Sequence, residues 1–240
     1  MRPRVLKIAP YDAGDIDGIA EVQIATAGGI QELVLDGVLV VDNVAILDIP
    51  RQVTLDFNDD DRARVLVVTG TDAKGNQLVE AVQGVDTNIT STVRAFKTVT
   101  SIKVDADLVG NVEAGTDDIV STNWLPLDYM VADFDVALGL TILAGFTADM
   151  TVELTLSNIL DRRGNAPTAG TSQHVRSEFG LFFPEINIFD HDSIVNLVAS
   201  ATGNLAFPVR AIRLKSNATL TGGPDGTVDL EVVQASPRTS

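Results

Sequence analysis

The sequence contains no cysteine, only two histidines and few aromatic residues, which make up 5% of its 240 positions. The absence of cysteine excludes disulfides, thiolate metal sites and cysteine nucleophiles. With one Trp and two Tyr, the chain also has few of the residues that surfaces recognising sugars usually present. A chain of this length buries enough surface to fold without a metal or a disulfide.

Basic residues are scarce: 17 Lys and Arg stand against 33 Asp and Glu, for a formal net charge of −16. Binding to nucleic acid depends on Lys and Arg that neutralise phosphates, so this balance weighs against it. We interpret the acidic excess as a solvated exterior that keeps the protein in solution. We therefore expect no nucleic-acid partner.

Long hydrophobic runs are missing as well. No run reaches the roughly 18 apolar residues of a membrane span, and residues 1–14 lack the apolar core of a signal peptide. We expect a soluble protein with no membrane partner and no export signal.

The chain is organised around residues 64–82, where two apolar runs flank a turn at residues 72–76. Gly75 and Asn76 accept positive φ at low cost, so this stretch predicts a β-hairpin with a short loop. Strand alternation predicts a set of inward-facing side chains. This set comprises Val65, Val67, Leu78 and Val82.

Most of the remaining chain consists of short β-branched runs separated by Gly, Asp and Asn, which is typical of an all-β protein. The length favours two β-sandwich or jelly-roll-like domains, at residues 19–120 and 121–240. Residues 1–18 are predicted to form an extended N-terminal arm, because Pro3 and Pro10 block a helix and Asp and Gly follow. Such an arm is typical of a mobile or partner-clasping terminus.

Few motifs suggest chemistry. Residues 15–18 faintly resemble a calcium loop but lack its distal Glu. The acidic residues 58–61 lie between two apolar runs, a pattern typical of a hairpin tip and only occasionally of a calcium site. The run His191-Asp192-Ser193 has the letters of a hydrolytic triad, yet neighbours in a strand point to opposite faces. We predict that the protein is not an enzyme, with no catalytic, cofactor-binding or metal-binding residue and no cofactor.

Candidate interface residues lie in three places: the arm, the long irregular stretch at residues 161–180, and the apolar stretch after it. A loop of that length inside a compact domain is uncommon, so it is expected either to be mobile or to contact a partner, and two adjacent phenylalanines are costly to leave in water. The candidates are Arg2, Arg4, Tyr11, Arg162, Arg163, Phe182 and Phe183.

Six segments, taken in order, carry a family resemblance that covers roughly residues 20–235. They are DIPRQVT at 48–54, VTGTD at 68–72 with Gly75 and Asn76, AFKTVTSI at 95–102, GNV at 110–112 with GT at 115–116, WLPLD at 124–128, and GNLAFPVRAIRL at 203–214. The set resembles a loosely defined group of virion proteins of tailed bacteriophages, encoded among the head and neck genes. Each motif is short, and their common order carries the resemblance.

The resemblance implies a structural, non-enzymatic protein of the virion, assembled in the host cytoplasm. Its expected partners are other virion proteins, either the major capsid protein or neck and tail proteins, and further copies of itself. A capsid decoration (cement) protein bound as an oligomer to the outer shell is the first expectation. Alternatives are a neck or tail component, such as a collar, tube or fibre-base protein, and a module that binds a glycan or receptor on the host surface.

Overall fold

A computed structural model describes residues 3–130, 134–143, 149–156, 188–218 and 227–235. All the helices and strands assigned in these ranges are β-strands, so none of the described residues forms a helix that could cross a membrane. The all-β prediction is thus confirmed. In chain order the strands are β1 (Arg4–Ile8), β2 (Ala20–Gln23), β3 (Gln31–Glu32), β4 (Val40–Val41), β5 (Val44–Arg51), β6 (Thr54–Phe57), β7 (Val65–Thr71), β8 (Gln77–Gln83), β9 (Ile89–Ser91), β10 (Phe96–Val104), β11 (Val112–Gly115), β12 (Val120–Ser121), β13 (Leu125–Pro126), β14 (Val136–Ile142), β15 (Met150–Thr155), β16 (Ile188–Asp190), β17 (Ala201–Leu205), β18 (Ala211–Ser216) and β19 (Val228–Gln234).

The described residues divide into two compact units. The terminal unit combines residues up to Asp12 with those from Asp118 onward, and the middle unit comprises residues 13–117. The chain therefore crosses from one unit to the other after Asp12 and again after Asp117. The sequence analysis placed the end of the arm after residue 18 and the boundary between the two domains after residue 120.

The middle unit contains two antiparallel sheets whose inner faces form one core. Sheet III has the order β4-β5-β10-β7-β8, with β3 also paired to β10, and sheet IV has the order β2-β11-β6-β9. Large apolar side chains from both sheets, such as Leu55 and Phe57 from β6 and Phe96 and Ile102 from β10, belong to one buried cluster. Two sheets with a shared apolar interior are typical of a β-sandwich.

The central hairpin is formed as predicted. Strands β7 and β8 pair in register from Val65 opposite Gln83 to Thr71 opposite Gln77. At the exposed tip, the Asp72 carboxylate accepts hydrogen bonds from the backbone N–H groups of Lys74 (2.8 Å) and Asn76 (2.9 Å). Gly75 takes a φ of 79°, which explains why glycine suits this position.

The side chains of this hairpin are buried on both faces of sheet III. Val82 packs in the sandwich core with its neighbours on β7, and Leu78 packs against that core. Val65 and Val67 lie on the opposite face, in a smaller buried cluster with Ala81. The prediction of one inward-facing set was therefore wrong, because these four residues belong to two faces of the sheet. Their apolar character follows from burial on both faces.

The terminal unit also contains two antiparallel sheets. Sheet I has the order β1-β19-β14-β17, and sheet II has the order β12-β18-β15-β16, with β13 also paired to β18. Val228, Leu230 and Val232 of the central strand β19 are fully buried at every second position. The predicted arm contributes β1, which pairs with β19 from Arg4 opposite Val232 to Ile8 opposite Val228.

Candidate assembly interface

Several strand ends meet at one end of sheet II. Thr155, the last residue of β15, lies opposite Ile188 on one side and Ala211 on the other. The backbone N–H of Arg210 donates to the carbonyl of Thr155 (2.9 Å), and the N–H of Leu127 donates to the carbonyl of Arg210 (2.8 Å). These pairings bring the segments around residues 127, 155, 188 and 210 together, although they are far apart in sequence.

Large apolar side chains are exposed at this end of the sheet. Met130 is 79% exposed and Phe207 is 46% exposed. The ring of Phe207 stacks on Phe189, with centroids 6.3 Å apart and an interplanar angle of 26°. The Cζ atom of Arg210 lies 4.7 Å from the ring centroid of Tyr129. The aromatic–arginine patch is defined here as Tyr129, Met130, Leu156, Ile188, Phe189, Phe207 and Arg210.

The composition of the aromatic–arginine patch matches that of the cores of protein–protein interfaces. Aromatic residues, Met and Arg are enriched there, and Tyr and Arg are among the residues that most often carry binding energy. A guanidinium stacked on a ring gains cation–π attraction and is oriented before a partner arrives. The patch can therefore bury apolar surface and also offer a charged hydrogen-bond donor.

A buried charged network lies on one face of the same sheet. Arg213 and Glu153 face each other on β18 and β15, and both are at least 95% buried. Nε of Arg213 is 2.5 Å from Oε2 of Glu153, and Nζ of Lys215 is 3.2 Å from Oε1. The Arg213 guanidinium also stacks on Trp124, with Cζ 4.6 Å from the ring centroid. This network holds β18 against β15, and Arg210 is the residue immediately before β18.

The position of Trp124 follows from a gap in the strand pairing. Thr122 forms two backbone-linked hydrogen bonds with Leu214, and Leu125 pairs with Ile212. Arg213 lies between these two contact points on β18, so the intervening Trp124 is placed over its guanidinium. The sequence analysis used Trp124 only as part of a family motif and did not foresee this contact.

Two of the predicted interface residues lie in the described ranges, and both hold the N-terminal segment to its own unit. A guanidinium nitrogen of Arg4 donates to the carbonyl of Pro126 (2.7 Å). The buried hydroxyl of Tyr11 lies 2.7 Å from the carbonyl oxygens of both Asp118 and Ala218. Their role in an interface stays a prediction. Arg2, Arg162, Arg163, Phe182 and Phe183 lie outside the described residues.

A second exposed apolar surface lies along one edge of the middle unit. The Gln23 side chain forms hydrogen bonds to both the N–H and the carbonyl of Val34, and Asp36 accepts from the N–H of Glu21. These side chains occupy the hydrogen-bonding groups of the edge, which blunts it against strand addition. The exposed residues of this edge are Val22, Val34, Val38, Val41 and Ile46.

His191 is a buried structural residue. Its Nδ1 accepts hydrogen bonds from the N–H groups of Ser193 (3.1 Å) and Ile194 (3.2 Å). Its Nε2 therefore carries the proton and faces the carbonyl of Asn204 at 3.3 Å. The Ser193 hydroxyl is 3.4 Å from the same Nδ1, but a backbone carbonyl stands where a triad would have a carboxylate. The arrangement stabilises a turn.

The acidic stretch at residues 58–61 lies in the connection between β6 of sheet IV and β7 of sheet III, so the prediction of a hairpin tip was wrong. The fully buried carboxylate of Asp61 accepts from the N–H of Val109 (2.8 Å). The exposed guanidinium of Arg62 donates to both oxygens of Asp60 (2.7 and 2.6 Å) and lowers the pKa of Asp60 to about 2.

Carboxylates also gather on sheet IV, where Glu113 on β11 lies opposite Asp56 on β6. Burial raises the pKa of Glu113, and the charges of Asp56 and Asp17 raise it further. A side-chain hydrogen bond with Asp17 is the main cause that raises the pKa of Asp15. Within the described ranges, no group of three or more acidic or histidine side chains is arranged to hold a metal ion.

No protein-family model matches the sequence, and no curated protein is significantly similar to it.

Most of the aromatic–arginine patch was missed by the sequence analysis. Phe207 and Arg210 appeared there only within a family motif, and Tyr129 and Met130 were not singled out. A usable signal was present: in a chain with few aromatic residues, Tyr129 and Phe207 each lie in a connection between strands.

Proposed function

We propose that the protein is a structural component of a tailed-bacteriophage virion. The first assignment is a capsid decoration protein that binds the outer shell as an oligomer. The family resemblance of the six ordered motifs supports the virion assignment. The all-β architecture suits such a role, because sheets can present a rigid face to a partner.

The aromatic–arginine patch is the observation that carries the proposal. An exposed group that contains Met130, Phe207 and the stacked pair of Arg210 and Tyr129 has the composition of a binding surface. A shell protein repeated many times can attach through a modest patch on each copy, because linked contacts add avidity. The acidic body of the chain then stays in solvent or meets a basic partner, and such contacts weaken in salt.

The test combines particle reconstruction with a pair of variants. Hundreds of copies on the shell surface would support decoration, whereas a ring of six or twelve at one vertex would support the neck or tail alternative. Absence of the chain from purified particles would refute both. A module that binds the host surface would instead be found at the tip of a tail or fibre.

The variants address attachment directly. Phe207→Ser with Arg210→Ser should reduce incorporation into particles at least tenfold, because hot-spot residues each contribute about 2 kcal/mol or more. Val38→Ser is the control, since Val38 is also an exposed apolar residue but lies in the middle unit. If the control reduces incorporation and the patch variant does not, the binding surface is the apolar edge of the middle unit.

A further inference from the structure

We propose that the aromatic–arginine patch binds a segment of another virion protein that presents a carboxylate next to an apolar side chain. Arg210 meets the carboxylate, and Phe207 and Met130 offer exposed apolar surface beside it. The source is not a second copy, because two bodies of charge −16 repel each other beyond the range of a direct contact. This inference rests on the proposed function and deepens it, since it states which chemistry of the partner the patch recognises.

Arg210 is held in place before a partner arrives. Its backbone N–H donates to the carbonyl of Thr155 (2.9 Å), and its own carbonyl accepts from the N–H of Leu127 (2.8 Å). Its guanidinium lies on the ring of Tyr129, with Cζ 4.7 Å from the centroid. A side chain that is fixed at its backbone and at its tip loses less conformational freedom on binding than a free one. The patch therefore presents a preorganised cation.

The charge of Arg210 has no carboxylate partner in the part of the chain that the structure describes. The nearest acidic residue in sequence to its stacking partner Tyr129 is Asp128, but the carboxylate of Asp128 accepts from the N–H of Met130 instead (3.2 Å). Other cations of the terminal unit do lie 3.2 Å or less from a carboxylate oxygen, namely Lys7, Arg213 and Lys215. Arg210 is thus set apart from these cations by its free charge as well as by its half-exposed position.

The stacking geometry selects the group that Arg210 can bind. A guanidinium carries its N–H donors in its own plane, so a ring against its face leaves donors at its edge available. A carboxylate matches this edge with two parallel hydrogen bonds and also balances the charge. A phosphate is a poorer fit, because Arg210 is the only cation of the patch and phosphate-binding surfaces gather several. The geometry therefore favours a single carboxylate.

The neighbours of Arg210 indicate what accompanies that carboxylate. The stacked rings of Phe207 and Phe189 and the 79% exposed side chain of Met130 offer no strong hydrogen-bonding group. Such a surface suits an aliphatic or aromatic side chain better than the hydroxyl groups of a sugar. An Asp or Glu beside an apolar residue of a protein meets both requirements, whereas an acidic sugar meets only the first.

The first test uses N-acetylphenylalanine, which carries a phenyl ring and a carboxylate, and its neutral counterpart N-acetylphenylalaninamide. Binding to the full chain is followed by NMR through the Nε–H signal of Arg210, identified by its loss in Arg210→Gln. The carboxylate probe should bind about threefold more tightly than the amide, and Arg210→Gln should abolish the difference. Equal binding of the two probes overturns the proposal. Tighter binding of glucuronic acid also overturns it, because the site would then take an acidic sugar.

The matched control is Arg94→Gln. Arg94 is a half-buried arginine of the middle unit that also forms no ion pair with the described carboxylates, so the control makes the same change of charge elsewhere and should keep the preference of the parent. A second variant, Arg210→Lys, keeps the charge of Arg210 but cannot bind a carboxylate with a planar fork. The preference for the carboxylate probe should fall in Arg210→Lys, and full retention would overturn the bidentate geometry.

The second test measures attachment to particles between about 0.1 and 1 M salt, a range over which charge pairs are screened strongly. The ratio of attached parent to attached Arg210→Gln should be largest at low salt and should shrink as salt is added. For Phe207→Ser the ratio should not shrink, because that variant removes apolar contact. A ratio for Arg210→Gln that is independent of salt overturns the proposal.

The inference and the proposed function fail in different ways. A preference for the carboxylate probe that depends on Arg210, in a protein absent from particles, would refute the proposed function alone. Reduced attachment of Phe207→Ser with no effect of the Arg210 charge on probes or salt dependence would refute the inference alone. A fall in molar mass of Arg210→Gln in light scattering would show that the patch binds a second copy, which overturns the assignment of the partner.

Discussion

Replacing Glu153 with Gln should destabilise the terminal unit, because it removes the carboxylate that lies against both Arg213 and Lys215. Removing one partner of a buried ion pair leaves an uncompensated charge, at a cost of about 3–5 kcal/mol. The glutamine oxygen can still accept one hydrogen bond, and the Lys215 side chain is 25% exposed and stays partly hydrated. We therefore expect about 3 kcal/mol, the low end of this range.

The assay is unfolding followed by the fluorescence of Trp124. It is the only tryptophan in the chain and it stacks on Arg213, so it reports on the terminal unit and on the altered network itself. A loss of 3 kcal/mol should lower the melting temperature of this transition by about 10 °C. The matched control is Lys7→Gln, which breaks an exposed ion pair of the same unit and should change stability by less than about 1 kcal/mol.

A double variant separates the charge from the contact. Glu153→Leu with Arg213→Met removes both buried charges of the pair, and such replacements are often close to neutral. It should therefore be more stable than Glu153→Gln. If the single variant melts like the parent protein, or if the double variant is the less stable of the two, the reasoning on an uncompensated buried charge is wrong.

Three further changes concern the middle unit and the glycines. Gly70→Ala should cost about 2 kcal/mol in urea unfolding, because a Cβ there would overlap a backbone carbonyl of β10, whereas Gly139→Ala meets nothing closer than 3.9 Å and should cost clearly less. Val67→Asp should cost about 3 kcal/mol or more, since it buries an unpaired carboxylate, and an unchanged melting temperature would show that this face is open to water. Glu113→Gln should stabilise the protein by roughly 0.5 kcal/mol at neutral pH, because it removes a like-charge pair with Asp56 across the strands. The pKa of Glu113 is raised in the folded state, so its ionised form costs stability at neutral pH, and that cost disappears as the pH falls through its pKa. The stability advantage of Glu113→Gln should therefore vanish in acid. A gain in stability that persisted in acid would have another cause.

Local features of the fold could be predicted from the sequence. The hairpin β7–β8 follows from two apolar runs around Gly75, which adopts the positive φ expected of it. The break between β4 and β5 follows from Asp42 and Asn43, which take φ values of 52° and 62° in a two-residue turn. In both cases the decisive residues are neighbours, so their own backbone preferences determine the structure.

Features that depend on distant residues could not be predicted. An apolar residue on a strand shows that it is buried but not which face of the sheet it occupies when both faces are covered, as at Val67 and Val82. The pairing of β1 with β19 joins residues 220 to 228 positions apart, and no local pattern specifies it. The aromatic–arginine patch likewise combines residues from three connections and from strand β16, which are brought together only by the pairing of distant strands.

The order of strands in sheet I has a consequence for synthesis. The strand that lies between β1 and β14 is β19, the last strand of the described chain. At about 5–20 residues per second, the ribosome needs roughly 10–45 s after β1 to reach Val228, and the middle unit is complete long before then. Throughout that interval β1 has no partner strand in its own chain. The middle unit can therefore fold during synthesis, whereas sheet I of the terminal unit can be completed only after the last of its strands has left the ribosome.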